Sequence, residues 1–208
     1  MIATFINSFI LFFVTIDTIG NLPFFLSLTE GAKIKKKNQI ALKSVIIAFF
    51  IMITFAYLGR YLLEVIHVSL DSLKIAGGVI LMFLAIDILF EKRKIRREKR
   101  VEEALDEKNF EEIIVFPIAF PFIAGPSALT TIILLIGNYT NFPEFQVPVI
   151  LALVAALIVS LVLMVGANFI IKYVHQQILH ATARVMAFIL AALATQFIID
   201  GIKASFNI

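Results

Sequence analysis

Asp17 is the first residue in this sequence that could do chemistry, because it stands inside a long apolar run, Ile2–Leu28. A carboxylate within a membrane span is expensive, so it marks an ion path, a proton relay or a ligand contact. Its other role is an N-cap, where Asp accepts the amides of a starting helix. The two roles are compatible. Asn21 follows with an amide that both donates and accepts, and Ser127, Thr130 and Thr131 add hydroxyls further along the chain. The exposed amides of a half-helix N-terminus would offer donors to an anionic group, with a favourable dipole. Unwound carbonyls or Asp17 would serve as acceptors. Gly20, Ala124, Gly125 and Ala128 leave little side-chain bulk there, although small residues also let helices pack closely.

These residues sit at two interruptions of otherwise apolar segments. The first reads Asp17-Thr-Ile-Gly-Asn-Leu-Pro23 and the second Pro117-Ile-Ala-Phe-Pro-Phe-Ile-Ala-Gly-Pro-Ser127. Proline removes a backbone donor and clashes with the preceding turn, and glycine loosens the chain beside it. The groups so freed cannot face hydrocarbon, and persist only when buried in protein or lining a wet cavity.

The elements that carry them belong to a membrane protein. Hydrophobic residues make up 61% of the 208, and mean hydropathy is +0.99, against about 45–50% apolar content in ordinary globular chains. Spans need about 20 mostly apolar residues. The pattern predicts helices at Ile2–Leu28, Ile40–Leu63, Leu73–Phe90, Ile113–Ile136, Val147–Ile171 and Ala181–Lys203, with no soluble domain. A strand architecture would alternate polar and apolar residues, whereas these runs are apolar on all sides. With no cysteine, disulfides and thiol chemistry are excluded. No basic stretch precedes the first run, so it does not read as a cleaved signal peptide.

Fifteen of the eighteen Lys and Arg residues fall in the first, third and fifth connectors or within a turn of them. Short basic loops stay in the cytoplasm, which predicts an inner-membrane protein with both termini outside the cytoplasm. The third connector, 91–112, pairs a basic block with an equal number of acidic residues, so it reads as a solvated linker, or as a segment against anionic head groups. It offers no net field for nucleic acid.

That connector separates three spans (1–90) from three spans (113–208). A half with an odd number of spans must have its copy inverted. Span three aligns with span six at Ile80/Ile189, Leu81/Leu190, Leu84/Leu193 and Ala85/Ala194, with Asp87 over Gln196. Paired Gly/Pro breaks in the first span of each half point to a transport site at the midplane. The predicted fold is therefore all-α, with six transmembrane helices in two inverted three-helix repeats, each with a broken first helix.

At these residues the chain resembles the MarC family of integral membrane proteins, which includes SnatA-type transporters. The family's Asp-Pro-x-Gly-Asn-x-Pro-like signature reads Asp17-Thr-Ile-Gly-Asn-Leu-Pro23, and its Pro-x-x-Ala-Gly-Pro-Gly-like signature reads Pro121-Phe-Ile-Ala-Gly-Pro-Ser127. Ile75-Ala-Gly-Gly78 and Gln196-Phe-Ile-Ile-Asp-Gly201 also fit. Thr18 stands where proline is usual and Ser127 where glycine is common, both inside the implied site. The resemblance implies secondary transport of small neutral amino acids such as glycine or alanine, with a proton as a possible coupling ion. Substrate-binding residues would be Asp17, Gly20, Asn21, Pro23, Ala124, Gly125, Pro126, Ser127 and Thr130.

Other classes are weaker. No nucleophile–base pair, nucleotide motif or cofactor signature argues for an enzyme. Glu64 and His67 have the spacing used in di-iron bundles, but such a site needs further Glu residues on facing helices. Asp87 and Asp200 lie toward helix ends, near water. His175 and His180 fall in a polar connector and read as solvated. The remaining alternative is a non-transporting membrane protein that affects permeability or drug sensitivity.

Overall fold

The computed structural model describes residues 1–65, 67–90, 111–139, 142–167, 169–170 and 176–206. Most of the charged connector 91–112 lies outside them, as do His175 and the side chains of Glu64 and His180. The described residues form helices α1 (Ile2–Ile16), α2 (Thr18–Leu28), α3 (Ile34–Val65), α4 (Leu70–Leu89), α5 (Ile114–Ile123), α6 (Pro126–Asn138), α7 (Pro143–Val165) and α8 (Gln176–Phe206). There is no strand among the described residues. Among the described residues five segments are long and apolar enough to cross a membrane, and α5 with α6, bent by 57°, makes a sixth if the pair is one broken span rather than a re-entrant loop.

Four helices start earlier than hydropathy predicts, α4 by three residues, at Leu70 rather than Leu73. α3 begins at Ile34 rather than Ile40, because Lys, Gln and Ala are good helix formers even where they are too polar for lipid. At ~1.5 Å per residue its 32 residues reach ~48 Å, longer than the ~30 Å hydrocarbon layer. Its lysine-rich start therefore projects beyond that layer. α7 begins at Pro143 rather than Val147, with proline in the opening position that it favours. α8 begins at Gln176 rather than Ala181. Ser69 caps α4, its hydroxyl accepting the Ser72 amide at 3.1 Å.

Packing falls into two bodies. The larger core joins α1, α2, α3, α5, α6 and α7 around fully buried Phe12, Ile16, Leu22, Ile118, Ile123 and Ile132. The smaller one lies where α4 and α8 pack along each other, with Leu81, Ala85, Leu190 and Ala194 wholly buried beside Val14 of α1. This contact is intimate because of Gly78. A Cβ there would lie 2.7 Å from the Ala194 carbonyl oxygen. Gly77, its neighbour, instead faces Thr130 and Leu134 of α6. Phe50, Leu58, Phe83, Val162 and Phe188 point outward, an apolar belt suited to lipid rather than water.

Candidate functional site between two broken spans

Each broken span fails for its own local reason. At the end of α1, Asp17 takes up left-handed backbone, φ 51° and ψ 54°, which Asp tolerates better than most residues. Its Oδ1 accepts the Gly20 amide at 3.3 Å, so Asp17 ends one helix and caps the next. Gly20 and Pro23 lie inside regular α2, so this break is one residue wide. It starts α2 at Thr18.

The second break is longer. Phe116 and Phe120 are extended, each directly before a proline, where ring crowding disfavours helix. Ala124 and Gly125 then leave the helical region and Pro126 opens α6. Gly125 provides no side-chain cap, and the first intrahelical bond there is Leu129 N to Gly125 O at 2.9 Å. The amides of Ser127 and Ala128 precede that bond and so have no helical acceptor. Only glycine fits at 125, since a Cβ would lie 2.6 Å from the Pro121 carbonyl oxygen.

The two breaks meet. Asn21 Nδ2 donates to the carbonyl of Ile16, the last residue of α1, at 2.9 Å, and to that of Phe122 at 3.1 Å. The Ser127 hydroxyl donates to the Thr15 carbonyl at 3.4 Å. Thr18 and Ser160 of α7 share a hydroxyl–hydroxyl hydrogen bond, and Thr131 donates to the Ser127 carbonyl at 2.8 Å. Carbonyls released by the breaks are thus taken by side chains, as an apolar surround requires. The Phe24 and Phe122 rings, 6.1 Å apart, pack the same junction. Asn21 is 1% exposed, and its Oδ1 is buried with no hydrogen-bond donor among the described residues.

Of the residues singled out by sequence, Asp17, Gly20 and Asn21 gather at the first break and Ala124, Gly125, Pro126 and Ser127 at the second. Pro23 and Thr130 stand apart. Pro23 is exposed on α2, and Thr130 donates to the Pro126 carbonyl at 2.9 Å while its methyl covers Gly77. Sequence reasoning missed Thr15 and Ser160, and named Thr18 only as a departure from the family signature inside the implied site. Ser160 left one signal, as the only hydroxyl in the run 147–171. No group of three or more His, Asp or Glu among the described residues could hold a metal.

Comparison with known proteins decides the family. The description "MarC family integral membrane protein" matches residues 2–206. This chain belongs to the MarC family. It is similar to a UPF0056 membrane protein of Methanocaldococcus jannaschii, 32% identical over 203 residues, covering 98% of this chain and 88% of the relative. One from Archaeoglobus fulgidus is 35% identical over 201 residues, covering 95% and 92%. One from Bacillus subtilis is 27% identical over 208, covering 100% and 98%. These names describe membrane proteins and specify no cargo. No solved structure matches.

This MarC-family chain also anchors its second broken span from outside. Glu111, just before α5, bridges Lys36 at 2.7 Å and Lys43 at 3.2 Å, both on α3. Hydrogen bonds from those two ammonium groups hold its carboxyl below the usual range. One residue beyond Lys43 on the same helix, Ser44 donates to the Ile114 carbonyl at 2.9 Å. The chain is a multi-pass integral membrane protein, and the buried polar residues Thr15, Thr18, Asn21, Ser127, Thr131 and Ser160 lie where its two breaks touch.

Proposed function

We propose that this protein is a secondary transporter of small neutral amino acids, glycine and alanine first, carrying them across the inner membrane through a site between the two broken spans. The observation behind the reading is Asn21, a buried amide that ties the ends of both first half-helices together and keeps an unfilled acceptor there. Beside it the first turn of α6 offers amides without a cap, a setting that favours a carboxylate. Ala124 and Ala128, both buried at the second break, carry little side-chain bulk, in keeping with a small ligand. A proton is a candidate coupling ion, with Asp17 as the carboxylate nearest the junction.

Two inverted repeats, 1–90 and 113–208, are part of the same proposal. In its favour, two of the pairs that align between spans three and six, Leu81/Leu190 and Ala85/Ala194, are buried together where α4 packs on α8, although Ile80 and Ile189 are exposed. Gly78 and Ala187, at the same sequence offset, are buried too. Cross-packing is reciprocal too. α1 lies against α7, the second span of the other half, while α3 lies against α5 and α6. An outward placement of both termini rests on the Lys and Arg distribution alone.

Uptake of labelled glycine by proteoliposomes, with and without a pH or sodium gradient, tests the function. Saturable uptake that alanine competes away is the expected result. Absence of uptake under every gradient would leave the non-transporting alternative, which also predicts that straightening the breaks leaves function intact.

A further inference from the structure

We propose that Asn21 Oδ1 is the acceptor that reads the ammonium group of the ligand, so that a ligand bearing N–H donors completes the joint between the two breaks. This rests on the transporter reading above, and it names the atom by which that site selects its cargo.

The other acceptors named at the junction each hold one donor already. Carbonyls freed at the breaks take protein donors: Thr15 from Ser127, Ile16 and Phe122 from Asn21. The Asp17 carboxylate accepts the Gly20 amide as the cap of α2. Asn21 Oδ1, by contrast, has no donor among the described residues. Its orientation follows from the network, because an amide oxygen turned toward Ile16 and Phe122 would place three acceptors together. The NH2 group must face those carbonyls and the oxygen must face away. A buried acceptor without a donor is rare and costly in native proteins, and this side chain is 1% exposed.

A second feature shares the location. Ser127, in the first turn of α6, bonds the Thr15 carbonyl, one residue from the Ile16 carbonyl held by Asn21. Ser127 and Asn21 therefore both reach the end of α1, which brings the first turn of α6 and the Asn21 side chain to one junction. A compact zwitterion finds separate partners there, amides for its carboxylate and a neutral oxygen for its ammonium. The neutral acceptor selects through N–H donation and brings no second charge into the junction.

The test measures binding of glycine, alanine and acetate to the purified full chain by calorimetry. Acetate keeps the carboxylate and lacks the ammonium. Wild type is expected to bind glycine at least about tenfold more tightly than acetate, the scale of one charge-assisted hydrogen bond. Equal affinity for the two overturns the proposal without any variant. In Asn21→Ala, checked for folding by its thermal transition, the margin should collapse to about threefold or less. If that variant does not fold, Asn21→Thr keeps one donor for the carbonyls and the same ratio is read. A folded variant that keeps both the margin and wild-type glycine affinity overturns the proposal while leaving the transporter reading in place. Failure of wild type to bind either amino acid overturns the transporter reading itself.

Discussion

The two breaks solve the same problem in opposite ways. The first is narrow and self-contained. Asp17 bends the backbone at one residue, yet Asp17 N still bonds Phe13 O and Asn21 N still bonds Asp17 O, so little of the helical ladder is lost. Its own carboxylate then supplies the cap. The second spreads over α5 and leaves the first turn of α6 without a cap. A break that satisfies itself positions; a break that leaves amides open can receive. In the transporter we propose, carboxylate capture would fall to the second break, and the first would present Asn21 one turn beyond its cap.

Substitutions at Asp17 are the strongest way to break that comparison. If Asp17 is chiefly a bend and a cap, stability should follow backbone tolerance and capping rather than charge. Asp17→Asn should melt close to wild type, since Asn keeps both properties. Asp17→Gly should lose a few tenths of a kcal/mol. Asp17→Ala should lose about 2–3 kcal/mol, from the cap and the left-handed backbone together. Denaturation of the three purified variants gives the order. A destabilised Asp17→Asn would mean that the charge itself holds the break. Gradient-driven uptake in the same variant reads the separate question of coupling, because a folded Asp17→Asn that binds glycine without accumulating it would assign the charge to that step.

At the second break the corresponding change is Gly125→Ala. The added methyl meets the Pro121 carbonyl, a main-chain atom that cannot swing aside, so a cost of about 1–3 kcal/mol is expected. The double replacement Gly125-Pro126→Ala-Ala asks more, since it permits α6 to extend backward and satisfy the open amides. Glycine affinity should then fall more than stability does. A variant that melts lower yet binds glycine as wild type would place the ligand elsewhere.

How much of this was readable in the sequence depended on how local each feature is. Spans and breaks are local, so hydropathy located the first and Pro, Gly and Asp located the second. The role of Asn21 is not, because its bond to Phe122 crosses 101 positions and no pattern in either segment announces the other. Pro23 looked like part of the break, but the left-handed turn at Asp17 had already made it, and Pro23 rides within α2. The early start of α3 escaped for a different reason. Hydropathy measures fitness for lipid, whereas a run of lysines beyond the lipid layer continues a helix perfectly well.

The smallest expected effect concerns support from outside the spans. The second break opens just after Glu111, whose carboxylate holds Lys36 and Lys43 on α3, whereas no acidic side chain caps the entry to α1. If the longer break leans on this clamp, its contribution must follow the ionisation of Glu111. The two lysines lower its folded pKa, so the unfolded chain takes up the proton first as pH falls. The clamp's contribution is therefore complete above the unfolded carboxyl value, around pH 4.3, and is lost as pH drops through the lower folded value. Because the carboxylate is exposed and its partners are screened, the effect belongs with the small surface pairs. The melting difference between wild type and Glu111→Gln should be slight at pH 7, shrink with added salt, and vanish at the acid end. A difference that stays constant through the acid range would show that shape or neutral hydrogen bonding, rather than charge, holds α5 against α3. Ser44, through its bond to the Ile114 carbonyl, would then be the residue on which the second break depends.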